Sequence, residues 1–135
     1  MTYLLDTNAC IEYLRQRNSR IVQRVAATAP GDLRLCSIVV AELLYGAFRS
    51  KQRQSNLAKA RSFISQFTSI PFDDSAAEVY GGLRADLVSR GIVLGPHDLQ
   101  IAAIALASQV TLVTHNTAEF AQVPGLKLED WQAGP

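Results

Sequence analysis

The sequence predicts an α/β domain in three layers, with helices covering both faces of a parallel sheet. Three observations carry that expectation. Short apolar runs (Tyr3-Leu4-Leu5, Leu33–Cys36, Thr111–Thr114) recur between longer stretches with helical spacing. From Leu99 to Leu106 the chain is apolar nearly all round, as a buried helix requires. Finally, 135 residues that are 48% hydrophobic and only 19% charged suffice for one packed core. One domain over residues 1–131 follows, with a short tail at 132–135.

The first strand, Tyr3-Leu4-Leu5, ends in Asp6-Thr7-Asn8, which are helix-capping residues, so a helix over roughly 8–17 comes next. A second helix over 19–29 carries Ile21, Val22 and Val25 as its apolar stripe and closes at Pro30-Gly31. Leu33–Cys36 alternates like a strand and hands over at Ser37 to a helix near 38–48. A long helix is expected over 53–68, then a brief strand at Ile70-Pro71-Phe72. Asp73-Asp74-Ser75 caps a helix running to Ser89, which Gly91 stops. After the loop Gly91–Pro96 comes the apolar helix from His97 to Ser108. A strand at 111–114, a helical turn at 117–121 and a strand at Leu126-Lys127-Leu128 complete the chain.

Composition excludes several classes. Cys10 and Cys36 are the only cysteines, too few for a disulfide framework or a four-cysteine zinc site; both fall on apolar faces as core thiols. His97 and His115 form no zinc-ligand pair with each other or with the cysteines. No apolar run reaches the ~18–20 residues that span a bilayer, and the chain begins without a basic leader, which points to a soluble cytoplasmic protein. Net charge is only +1, yet it is polarised. Residues 1–72 hold ten Lys/Arg against four Asp/Glu, and residues 73–135 hold three against eight. The basic run Arg49, Lys51, Arg53, Lys59, Arg61 contains no acid. By itself it is a solvated surface; beside a phosphate-cutting site it is a place for RNA. Tyr45 and Phe48 fit helix packing or a partner groove.

Four acids attract chemistry. Asp6 ends the first strand, where ligands bind in open parallel sheets, although it also suits a helix cap. Glu42 lies on an apolar stripe with Ile38, Val39 and Tyr45, where a carboxylate needs a cation or a partner such as Arg49. Asp98 opens the most apolar helix, a position the helix dipole also favours. Glu119 stands three residues after Asn116, the spacing of a capping box. Together the four would share one edge of the sheet. Carboxylates ~5 Å apart at an effective dielectric of ~20 repel by ~3 kcal/mol, so the cluster calls for a cation or for protonation. All-oxygen donors favour Mg²⁺ or Mn²⁺.

Asp6-Thr7-Asn8 after a first strand, Ser37-x4-Glu42-Leu-x-x-Gly46, Gly95-x-x-Asp98-x-x-Ile101-Ala102-Ala103 and Thr114-x-Asn116-x-x-Glu119-Phe120 together resemble a PIN-domain ribonuclease, and more narrowly a VapC toxin. The resemblance runs from Tyr3 to Glu129-Asp130-Trp131. It implies a five-stranded parallel sheet and a Mg²⁺- or Mn²⁺-dependent endoribonuclease that dimerises and is inhibited by a small VapB-type antitoxin within a larger assembly. Position by position it assigns metal binding to Asp6, Glu42 and Asp98, with Glu119 as a fourth catalytic acid where Asp is the commoner residue. Whether Glu119 or Asn116 reaches the metal stays open. Thr7, Asn8, Ser37, Thr114 and Asn116 would support the acids. The Gly-Pro-x-Asp and Glu-Asp-Trp details look most like members that cut initiator tRNA in its anticodon loop. Such a structured RNA would meet Arg49, Lys51 and Arg53 mainly through phosphate, with Arg15 and Arg17 nearby.

Two other classes compete. A phosphatase or receiver-like domain would use Asp6 as phosphoryl acceptor, but it wants Asp-x-Asp or paired acids and a well-placed late lysine, which this chain lacks. A catalytically inactive PIN-like module would hold a partner's arginine among the acids; the four intact carboxylates argue against it.

Overall fold

The computed structural model describes residues 1–133. Five parallel strands form one sheet in the order β3-β2-β1-β4-β5. β1 (Tyr3–Leu5) is central, pairing with β2 (Leu33–Cys36) on one side and β4 (Thr111–Val113) on the other. β3 (Thr68–Ile70) and β5 (Leu128–Glu129) are the edges. The chain walks outward from β1 through β2 to β3, then jumps back across to β4. Right-handed crossovers therefore put α1–α4 and α5–α6 on opposite faces. The reversal between β1 and β4 makes their carboxyl ends the topological switch point of the sheet.

Helix starts follow local chemistry. Asp6 caps α1 (Thr7–Arg15), accepting from the Ala9 N–H at 2.7 Å. Asn18 caps α2 (Ser19–Ala27) through Arg20 and Ile21, and Asp73 caps α5 (Asp74–Ser89) through Ala76. Each satisfies amides that a helix leaves unpaired. α6 (Pro96–Ser108) begins with proline in its first turn, where a missing N–H is harmless. Gly91 adopts φ +70° and ends the α5 region, as expected. α3 (Ser37–Phe48) and α4 (Arg53–Ile64) pack as a hairpin, and the short α7 (Thr117–Phe120) follows β4. Leu4, Leu5, Leu35, Leu112, Ile101 and Ile104 are fully or almost fully buried and fuse the sheet to α6. Cys10 and Cys36 are free, buried thiols.

Several boundaries differ from the sequence reading. α4 stops at Ile64, short of residue 68, where the Ser65 hydroxyl turns back to the Ser62 carbonyl. The residues so released build β3 at Thr68–Ile70 rather than at 70–72. Pro71 has no N–H for a ladder, and that of Phe72 is drawn to the Ser37 hydroxyl at 3.1 Å. β5 lies at Leu128–Glu129 because the Leu126 N–H closes a turn on Val123, and pairing starts when the Lys127 carbonyl accepts from Leu112. The first residues of the expected tail are tied down: the Gln132 and Ala133 amides donate to Asp130, and Asn18 donates to the Gln132 carbonyl. The rest of that tail, 134–135, lies outside the described residues. Tyr45 is 67% exposed and Phe48 46%, so neither packs into the core. No helix among the described residues is long and apolar enough to cross a membrane.

Candidate active site

Asp6 stands at the end of β1 and Thr114 just past the end of β4, the two sides of the switch point. Asp6 is only 5% exposed. Burial is the main force raising its pKa from 3.8 to about 6; hydrogen bonds from the Thr114 hydroxyl and the Ala9 amide oppose it, and Asp98 and Glu42 repel it further. The Thr114 oxygen also accepts the Asn116 N–H at 3.0 Å, which sets the course of the loop into α7.

Glu42, on α3, lies near enough to Asp6 and Asp98 to repel both carboxylates. Its Oε1 accepts the Thr7 hydroxyl at 2.6 Å and its Oε2 lies 3.3 Å from His97 Nδ1, so side chains of α1 and α6 hold the carboxylate in place. Arg49, the alternative partner weighed from the sequence, instead lies over the Tyr45 ring. Asp98, in the first turn of α6, also has its pKa raised: burial dominates, Glu42 and Glu119 add repulsion, and His97 offsets part of it. Asp98 and Glu42 thus act on Asp6, and Glu42 and Glu119 act on Asp98, linking acids from the β1 end, α3, α6 and α7. Glu119 is exposed, and the capping box does not form, since Asn116 makes no side-chain cap to α7.

The supporting residues divide. Thr7 and Thr114 bond within the acidic site. Asn116 contributes its backbone, while the Asn8 side chain is exposed and outside this network. Ser37 serves the link between β3 and α5 through Phe72 and does not steady the acids. Two contacts escaped the sequence reading. His97 sits on Glu42, and the His115 Nδ1 meets Asp130 Oδ2 at 2.9 Å. Neither spacing is local, so no motif could announce them.

Arg49, Lys51 and Arg53 do cluster, on the turn from α3 to α4. The turn is braced by Arg53 Nε donating to the Phe48 carbonyl at 2.8 Å, Ser50 to Ala47 and Asn56 to Ser50. Beside it an open groove runs between α1, α3 and α4 from Glu42, with Tyr13, Leu43 and Phe63 on its walls and Arg15, Arg49 and Lys59 along it.

The donor set suits a hard divalent cation. Asp6, Glu42, Asp98 and Glu119 offer carboxylate oxygens, and a cation would offset both the burial of Asp6 and Asp98 and the repulsion their acidic neighbours add. Among the described residues no trio of His, Cys, Asp or Glu forms a ready-made cage.

Comparison with known proteins agrees with this geometry. The PIN domain profile matches residues 3–126. Ribonuclease VapC2 of Rickettsia felis is 37% identical over 132 residues, covering 97% of this chain and 98% of that protein. The tRNA(fMet)-specific endonuclease VapC of Salmonella typhimurium is 36% identical over 133 residues, with 97% and 98% covered. Among solved structures, VapBC2 of Rickettsia felis bound to a promoter DNA fragment superposes with a TM-score of 0.90 at 36% identity, covering 97% of this chain and 99% of that one. DNA-bound VapBC of Salmonella typhimurium gives 0.91 at 35%, covering 97% and 98%. With its acids gathered at the switch point of a five-stranded parallel sheet, and over a third of its residues shared along nearly its whole length, the chain belongs to the PIN-domain family, among the VapC ribonucleases.

Proposed function

We propose that this protein is the toxin of a toxin–antitoxin pair, a Mg²⁺- or Mn²⁺-dependent endoribonuclease. The observation that carries the reading is the buried Asp6 at the carboxyl end of β1, repelled by Asp98 and Glu42, with Asp98 in turn repelled by Glu42 and Glu119. Asp6, Glu42 and Asp98 would hold the ion, and Glu119, one methylene longer than Asp, would approach from the rim. When bound, the ion lowers the pKa of a water and neutralises charge developing on the phosphate. The chain's own groups prepare that chemistry: Thr7 and His97 orient the two oxygens of Glu42, and Thr114 and the Ala9 amide orient Asp6. Preorganised carboxylates need no rearrangement at the moment of reaction.

The substrate we propose is a structured RNA, with initiator tRNA cut in its anticodon loop as the specific candidate. Its support is the basic turn beside the acids and the activity named for the Salmonella relative. The protein would work as a homodimer held inactive by a VapB-type antitoxin, in line with the VapBC complexes whose toxin chains it resembles. The groove beside Glu42 has room for an antitoxin segment, and an arginine delivered from it would neutralise the acids in place of metal.

Mapping new 5′ ends in total RNA after brief expression, with Asp6→Asn as control, tests this directly. Cleavage should be confined to few sites, vanish with Asp6→Asn, stop in purified protein on adding EDTA and return with Mn²⁺. Metal-independent cleavage, or equal cutting by the variant, would overturn the proposal.

A further inference from the structure

One face of α3 carries three groups that the acidic pocket alone does not use together. Glu42, Tyr45 and Arg49 recur at helical spacing, so they form a stripe that starts in the pocket and leads out of it. At a rise of about 1.5 Å per residue, Tyr45 lies about 4–5 Å and Arg49 about 10 Å along the axis from Glu42. The Tyr45 ring is largely in solvent, and the Arg49 guanidinium lies over it, 5.5 Å from the centroid. A cation on one face of an aromatic ring holds it in position while the ring stays open to solvent. The helix end is braced as well, since Arg53 and Ser50 both bond back to the last turn of α3. The guanidinium contact favours one orientation of this exposed ring, which stands on α3 one turn from Glu42 and beside the basic turn.

From this arrangement, which rests on the nuclease reading above, we infer that Tyr45 is a stacking platform for an unpaired nucleobase next to the scissile phosphate. The phosphate to be cut lies at the acids, the neighbouring base lies flat on the ring, and the following phosphate meets Arg49 with Lys51 and Arg53. A ring π-face accepts any base, so the platform selects for unpaired, unstacked nucleotides rather than for sequence. It restricts cleavage to loops and single strands, because a paired base cannot reach the ring. Charge favours RNA as the occupant over an acidic or apolar peptide: the stripe is flanked by the acid-free run 49–61.

The test measures binding of a short single-stranded RNA carrying a fluorescent purine analogue, using the full chain with Asp6→Asn to prevent cutting. Stacking on Tyr45 should quench the analogue. Adding Tyr45→Ala should abolish the quench and weaken binding roughly 5- to 100-fold without changing the salt slope, while Tyr45→Phe or Tyr45→Trp retains both. Arg49→Ala should instead lower the salt slope by about 0.7, as loss of one phosphate contact does. Unchanged quenching and affinity in Tyr45→Ala overturn the inference. So does a Tyr45→Ala protein that binds RNA normally but loses self-association or antitoxin binding, which would make the ring part of a protein interface. A parent chain that quenches the analogue but cuts no RNA with Mn²⁺ sinks the nuclease reading alone. Full cutting by otherwise wild-type Tyr45→Ala protein sinks the platform alone.

Discussion

Asp6 serves two demands that oppose each other. Its Oδ1 caps α1, yet burial and two neighbouring acids lift its pKa from 3.8 to about 6. A carboxyl whose folded pKa exceeds its unfolded value binds more protons folded than unfolded between the two. Stability therefore declines as pH rises from about 4 to about 6, and the penalty persists above that window. Two units correspond to about 3 kcal/mol. Asparagine caps helices as well as aspartate does. Asp6→Asn should thus abolish cleavage while raising the thermal midpoint at neutral pH and flattening its pH dependence between about 4 and 6; scanning calorimetry across that range checks it. Thr7 acts through Glu42. Removing its hydroxyl in Thr7→Val should lower kcat about tenfold, with Thr7→Ser restoring it, because a group that orients a ligand is worth about that much. Steady-state rates at saturating Mn²⁺ read the difference.

At the scale of elements, Ser37 separates packing from chemistry. It opens α3 at the end of β2, where a hydroxyl invites a role beside the acids, but it accepts the Phe72 N–H and fastens the end of β3 to α3. Ser37→Ala should cost about 1 kcal/mol in a urea melt and leave the rate of RNA cleavage unchanged. A loss of activity without a loss of stability would return Ser37 to the site. The same contact accounts for the displaced β3. Periodicity marks an extended segment near residue 70, but the ladder forms only where successive amides are free, and Pro71 and Phe72 supply none to it.

Across the whole molecule the charges are sorted, with the first half of the chain basic and the second acidic. The sorting is partial in space, since Asp6 and Glu42 from the basic half join Asp98 and Glu119. Polyanion binding should therefore depend on the α3–α4 turn rather than on net charge. Arg49→Ala with Lys51→Ala should reduce the slope of log affinity against log salt by about 1.4–1.8, at 0.7–0.9 per phosphate contact. Fluorescence anisotropy of labelled RNA over a salt series measures it; an unchanged slope would place the RNA elsewhere.

Local sequence determined most of the elements and their caps, because helix periodicity and the donors and acceptors of Asp6, Asn18 and Asp73 act within a few residues. It also marked Asp6, Glu42 and Asp98, since carboxylates at strand ends and on apolar stripes stand out against their neighbours. Only the tertiary structure decided that Glu42 meets Thr7 and His97 rather than Arg49, that Glu119 caps nothing, and that Tyr45 faces water. Periodicity tells which side of a helix is apolar, but what covers that side depends on strand order and on contacts between residues 35 and 55 positions apart.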